Sequence, residues 1–290
     1  MNSFQDTSSS KFKVGLIQMS MSDNLDDNLK KALKMIKKAV KKGANIVCLP
    51  ELFNAPYFPI EENAQAEKYA QSIPSATSEI LSSVAKRYGI IIVAGSVYEK
   101  DNDKFYNTCV VFDETGVILG KYRKMHIPHD PGFYEQNYFE KGNLGYQVFQ
   151  TKYCKIGVLI CYDQWFPEAA RTLALMGADV IFYPTAIGWA KNIEPVEGNW
   201  NKAWDAVQIG HAIANNIIIA AVNRCGAEKD TTFWGGSFVS DAFGNILAKA
   251  KDKDKIVIAE CNLAHSKHVR ESWRFFYNRR PESYSKIVEK

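Results

Sequence analysis

The stretch KIGVLICYDQWFPEAARTLALMGADVIFYPTAI, Lys155 to Ile187, decides the fold. It begins as an apolar strand-like run, turns polar just after Cys161, becomes a helical pattern from Pro167 to Met176, and returns to a second apolar run. Proline suits a first helical turn, so Phe166-Pro167-Glu168 marks the helix start. Both flanking runs are apolar on both alternations, as in strands of a sheet covered on its two faces. In sheets of that kind, sites form where strands end and loops begin, and Cys161 stands at such an exit.

The same alternation extends in both directions. Strand-like runs recur at VGLIQM, ANIVCLP, IIIVAGSV, NTCVVFD, NIIIAAVN, GSFVSD and KIVIAEC. Helical patterns lie between several of them. In the first, Leu29, Ala32, Leu33, Ile36, Ala39 and Val40 share a face, lysines hold the other, and Gly43 closes the helix. Others run from Ser78 to Tyr88 and from Trp200 to Asn215. Strands alternating with helices, followed by consecutive strands, predict a layered α/β fold with large mixed sheets. No internal repeat, low-complexity tract or linker divides the chain. The expectation is a disordered segment over 1–10 and a single domain over 11–290 that ends in an arm.

Bulk properties exclude several function classes. The chain has 290 residues, 46% hydrophobic and 23% charged, enough to bury a full core. Its polar opening lacks the apolar centre of a secretory signal, and no later run is long enough to cross a bilayer, so a cytoplasmic protein without a membrane partner is expected. The formal charge of +4 is spread among alternating signs, and the lysine pairs near Lys30, Lys37 and Lys41 fall on one predicted helix. That describes a solvated surface and not a nucleic-acid site. The six cysteines are scattered singly, without zinc or disulfide spacing, so no metal site is expected. Cys48, Cys109 and Cys261 lie inside apolar runs and read as core; Cys161 does not.

Two more strand exits carry chemistry. VCLPELF places Glu51 past a strand, and GKYRKMHIPHD places Lys124 in a loop. A thiol attacks as thiolate and needs a base or a positive neighbour. A carboxylate at Glu51 can take the thiol proton and return it to a leaving amine. An ammonium at Lys124, with the backbone N–H of Tyr162, can stabilise the oxyanion formed on attack.

The ordered segments LPELF, YRKMHIP and ICYDQWFPE resemble the three signature segments of the carbon–nitrogen hydrolase (nitrilase) superfamily, over nearly the whole chain. The resemblance implies a four-layer αββα sandwich of two mixed sheets covered by helices. It implies catalytic Glu51, Lys124 and Cys161, a second glutamate at Glu135 from the pattern YExxYF, and a covalent cysteine intermediate. It implies no metal and no organic cofactor. The runs MHIPHDPGFYEQNYFEKG and FPEAARTLALMGADVIFYPTAIG resemble the branch that hydrolyses N-carbamoylputrescine to putrescine, carbon dioxide and ammonia. The chain departs from that branch at Tyr162, where many members have Trp, and at Ala190, where plant-type members carry a glutamate that meets the substrate ammonium.

A cationic tail wants acids or an aromatic box, and the expected candidates are Tyr57, Asp130, Trp165, Trp189, Glu194 and Glu197. Arg123 and Arg224 keep an anionic substrate open, as in an N-carbamoyl amino-acid amidohydrolase or an ω-amidase. A synthetase or transferase domain would need a nucleotide motif that is missing. A non-catalytic scaffold would not need all three of Glu51, Lys124 and Cys161. The tail ESWRFFYNRRPESYSKIVEK mixes arginine with aromatics, which suits an arm across a subunit interface. The expected partners are a small-molecule substrate and further copies of the chain, as a homo-oligomer built from dimers.

Overall fold

The structure, a computed structural model, describes residues 10–191, 193 and 196–289. The segment expected to be disordered therefore lies, apart from Ser10, outside the described residues.

Strands β1 (Lys11–Gln18), β2 (Ile46–Cys48) and β3 (Ile91–Val93) run parallel, connected by helices α1 (Leu25–Lys41) and α2 (Ala76–Tyr88). Each helix is specified at its ends. Asn24 caps α1 by accepting from the Asp27 amide, Asp26 and Asp27 open it, and Lys38 and Lys41 close it, all in the sense the helix dipole favours. Ser75 and Ser78 cap α2 reciprocally, and Gly89 ends it in the left-handed conformation. Their apolar faces, including Ala32, Ile36 and Leu81, pack on one side of the sheet.

The run IIIVAGSV is interrupted in the structure. It gives β3, a break at Ala94–Ser96, and then β4 (Val97–Asp101). Both pieces lie antiparallel along β5 (Lys104–Phe112), whose other side carries β6 (Ile118–Arg123).

The second sheet repeats this plan. After β7 (Val148–Gln150), strands β8 (Lys155–Val158), β9 (Val180–Thr185) and, after the short β10 (Gly188–Ala190), β11 (Ile218–Asn223) provide a parallel centre β8-β9-β11. Helices α3 (Pro167–Leu175) and α4 (Trp200–Asn215) connect them on the outer face. The strands β12 (Cys225–Glu228) and β13 (Thr231–Trp234) join β10 in a three-stranded sheet of their own. Antiparallel β14 (Phe238–Ser240) and β15 (Ile246–Lys249) complete the second sheet. The chain then returns to the first sheet as β16 (Lys255–Asn262), antiparallel to β1 from Lys11↔Asn262 to Gln18↔Lys255. A last helix, α5 (Leu263–Trp273), follows.

The result is a four-layer αββα sandwich. Its central layer is apolar: Val14, Leu16, Val93 and Val111 of the first sheet share one cluster with Ile156, Phe182 and Ala220 of the second. Among the described residues no helix is long and apolar enough to cross a membrane.

Candidate active site

Four chemically active side chains converge at the strand exits. Glu51 lies just beyond β2, Lys124 just beyond β6, Glu135 in a 3-10 turn (Glu135–Asn137), and Cys161 at the start of another (Cys161–Trp165).

Each is placed by its own local device. The Glu51 turn rests on the break between β3 and β4: the Leu52 amide donates to Ser96 Oγ at 2.9 Å and the Phe53 amide to Ser96 O at 3.2 Å. Gly95 has φ +44°, and a Cβ there would fall 2.2 Å from the Pro50 carbonyl oxygen, so glycine alone allows this approach. Lys124 is held by its amide on Asn107 O (2.9 Å) and by the Gly142 amide on its own carbonyl (2.8 Å). Cys161 has φ +44°, rare for a non-glycine residue. Asp163 supports it through an acceptor bond from the Ile160 amide at 2.8 Å. The same carboxylate accepts from Tyr122 OH at 2.8 Å and the His126 amide at 3.0 Å, tying the thiol turn to both flanks of Lys124.

The Lys124 ammonium donates to Glu51 Oε1 at 2.8 Å and to Glu135 at 2.8 and 2.6 Å. Asn107 Nδ2 donates to the same Glu51 oxygen at 2.7 Å, and Tyr57 OH donates to Glu135 Oε1 at 2.6 Å. Glu51 Oε2 is buried and accepts from no described group. Cys161 is 6% exposed, its Sγ 3.8 Å from Ala186 O.

Burial by itself pulls the Lys124 ammonium down, but Glu135 and Glu51 outweigh it and hold the charge firmly on the lysine. Burial pushes the Glu135 carboxyl up, against Lys124, which lowers it. Burial also pushes the Cys161 thiol well up, and the Glu51 charge adds to this while Lys124 opposes it. At neutral pH the resting sulfur is a thiol, so attack requires a base. The only neighbouring carboxylate oxygen without a donor, among the described residues, is Glu51 Oε2.

A cleft of about 340 Å³ opens above the thiol. Cys161, Glu135, Tyr162, Trp165, Asp130 and Glu197 line it, together with Phe133, Ile187 and Trp200. Two residues expected on its wall are elsewhere. Tyr57 is buried behind the cleft, because its hydroxyl is engaged with Glu135. Trp189 packs between Trp200, on which it stacks (5.7 Å), and Trp234, to which it is tilted (5.1 Å), and is not among the residues that line the cleft. Glu194 lies outside the described residues. Ala190 is buried.

The two arginines that kept an anionic substrate open do not reach the cleft. Arg123 pairs with Glu99 and Asp101, and Arg224 with Glu228 and the carbonyls of Glu51, Leu52 and Ala55. None of the described lining residues is cationic. Asn107, Asp163 and Trp200 are not apparent from the sequence as site residues, and Arg224 is expected there only as a contact for an anionic substrate, not as a support of the Glu51 loop. Only Asn107 had a signal, a polar side chain opening an otherwise apolar strand run.

This layering, with a thiol, an ammonium and two carboxylates gathered at facing strand exits, defines a nitrilase-type enzyme that hydrolyses carbon–nitrogen bonds. The chain belongs to the carbon–nitrogen hydrolase family, whose pattern matches residues 13–271. It is 39% identical over 285 residues to an N-carbamoylputrescine amidase of Arabidopsis thaliana, covering 95% of this chain and 94% of that protein. A citrullinase of Francisella tularensis is 39% identical over 284 residues, 96% of this chain and 98% of that one. A carbon-nitrogen hydrolase from Helicobacter pylori G27 superposes with a TM-score of 0.92 at 36% identity, over 97% and 99% of the two chains.

Proposed function

We propose that the enzyme hydrolyses N-carbamoylputrescine to putrescine, carbon dioxide and ammonia through a covalent intermediate on Cys161. The observation that carries the mechanism is the division of labour on Glu51: one oxygen is fixed by Lys124 and Asn107, and the other is buried without a donor. Glu51 Oε2 takes the Cys161 proton as sulfur attacks the carbamoyl carbon. The C=O electron pair moves onto oxygen, where the Lys124 ammonium and the Tyr162 N–H stabilise it. Protonated Glu51 then gives its proton to the departing nitrogen as the C–N bond breaks, leaving a thioester-type carbamoyl enzyme. Glu51 next removes a proton from water as the water oxygen attacks the same carbon, and returns that proton to the sulfur as the C–S bond breaks; the carbamate released decomposes to carbon dioxide and the remaining nitrogen, as ammonia or putrescine. Glu135 holds Lys124 and faces the cleft.

The cationic tail is assigned to the acids and rings of the cleft, Asp130 and Glu197 with Trp165 and Trp200. The lack of a cation among the described lining residues favours this tail over citrulline, which adds a carboxylate, and over N-carbamoyl amino acids or ω-amides. The reading also takes the protein as a cytoplasmic homo-oligomer built from dimers. It is supported by six free cysteines and by exposed Leu175, Met176 and Ile213 around the outer helices. Ammonia release from N-carbamoylputrescine, citrulline, N-carbamoyl-β-alanine, an N-carbamoyl-D-amino acid and glutaramate tests the substrate. The first should have the highest kcat/KM; a faster anionic member overturns the substrate and leaves the chemistry standing.

A further inference from the structure

The Arg224 guanidinium is fully buried and directs most of its donors at backbone. Its Nη2 reaches the carbonyls of Glu51 (3.1 Å), Leu52 (2.7 Å) and Ala55 (2.9 Å), and Nε reaches Glu51 O again at 3.3 Å. Nη1 pairs with Glu228 Oε1 at 2.6 Å, and Glu228 Oε2 accepts from the Tyr57 amide at 2.7 Å. Arg224 and Glu228 thus grip both ends of the loop from Glu51 to Tyr57. One end presents the carboxylate beside the thiol, and the other presents the hydroxyl that orients Glu135. The preceding residue, Asn223, works on the other wall. Its side chain accepts from the Ile187 amide (3.0 Å) and donates to Ile187 O (2.9 Å), fixing the segment whose Ala186 carbonyl lies 3.8 Å from Cys161 Sγ.

We propose that Arg224, clamped by Glu228, is a positioning residue that sets the alignment of Glu51 with Cys161. The two groups come from different sheets, and the end of β11 is the point where both walls of the site are tied to one dipeptide. A planar five-donor fork suits this task, because it meets several carbonyls at fixed angles as a lysine ammonium cannot. A displacement of about 1 Å in a reacting group is enough to cost roughly 10²-fold in rate. The inference rests on the proposed roles of Glu51 and Cys161.

The test compares Arg224→Lys and Glu228→Gln with the parent enzyme, each normalised to thiols titrated at Cys161 so that misfolded protein is not counted. Glu228→Gln keeps the shape of the clamp and guards against an Arg224 variant that does not fold. Expected are a kcat per titrated site lower by about 10²-fold for Arg224→Lys and about 10-fold for Glu228→Gln, with KM within about twofold. The pH profile of Cys161 modification by a small thiosulfonate should move in Arg224→Lys, since the Glu51 charge that raises the thiol is displaced while the thiol turn itself is not touched. Full kcat per site in both variants, or a loss carried by KM, overturns the proposal. Parental activity that survives Glu51→Gln would instead show that the roles of Glu51 and Cys161 were wrong.

Discussion

Cys161 is held at φ +44°, a conformation that costs a non-glycine residue on the order of 1–3 kcal/mol. The Asp163 bond to the Ile160 amide holds the turn that imposes it. Cys161→Ala should keep this turn and the fold, and lose turnover by several orders of magnitude; circular dichroism with steady-state kinetics checks both. Because burial and then Glu51 raise the thiol, its modification by a small neutral thiosulfonate should accelerate with pH beyond 9. Glu51→Gln removes the raising charge, so the same profile should move to lower pH. A plateau below pH 7 in the parent would mean a preformed thiolate. At the mouth of the cleft, Glu197→Gln and Asp130→Asn should raise KM for N-carbamoylputrescine several-fold, and leave a neutral analogue with a terminal methyl group unchanged. An equal effect on both compounds would assign the amine to another partner.

The helices and strands near the site were largely readable because their signals are local. The helix expected from Trp200 to Asn215 is α4, and the Phe166-Pro167-Glu168 start gives α3. Helix α5 was not foreseen, since LAHSKHVRESW has too few apolar residues to show a period. The break in IIIVAGSV was also hidden: its cause is the Pro50 carbonyl, which is distant in sequence. Gly95→Ala should therefore lower kcat/KM by about 10²-fold through the Glu51 turn. Gly89→Ala, at φ +62° but facing open space, should affect thermal stability alone. Strands β4, β5 and β6 meet around Glu99, which binds Arg123, Lys121 and Thr108. Burial raises its pKa, but the bonds from Arg123, Lys121 and Thr108 outweigh this and leave it below the usual carboxylate value. Its stabilisation is therefore present above the unfolded pKa of about 4.3 and fades as pH falls through the lower folded value. Glu99→Gln should lower the melting temperature most above about pH 5, with the gap to the parent closing on acidification.

At the scale of the molecule, each sheet is built from three parallel strands joined by two helices and flanked by antiparallel strands. No sequence repeat announces this, because hydrophobic burial constrains the pattern of residues and not their identity. Glu51 and Cys161 stand out because apolar runs stop there, and Lys124 because YRKMHIP is one of three ordered segments that carry the family resemblance. The bonds that orient them were illegible: Tyr57 to Glu135 and Arg224 to Glu51 span 78 and 173 positions and leave no periodic trace. The outer helical face exposes Leu175, Met176 and Ile213, with Phe243 and Trp273 also exposed. Met176→Glu with Ile213→Glu tests the proposed self-association: a smaller species than the parent in light scattering is expected, and a parent that already has the mass of one chain overturns the proposal.

The closing ladder between β1 and β16 sets a schedule for biosynthesis. The outer edge of β1 can be covered only when residues 255–262 have been made. At about 5–20 residues per second the nascent chain waits roughly tens of seconds with that edge open. An unpaired strand edge is a template for association with other chains. A message that stalls late, or a stop codon before Lys255, should therefore give aggregates in place of a nearly complete enzyme, even though Glu51, Lys124 and Cys161 have all been synthesised by then.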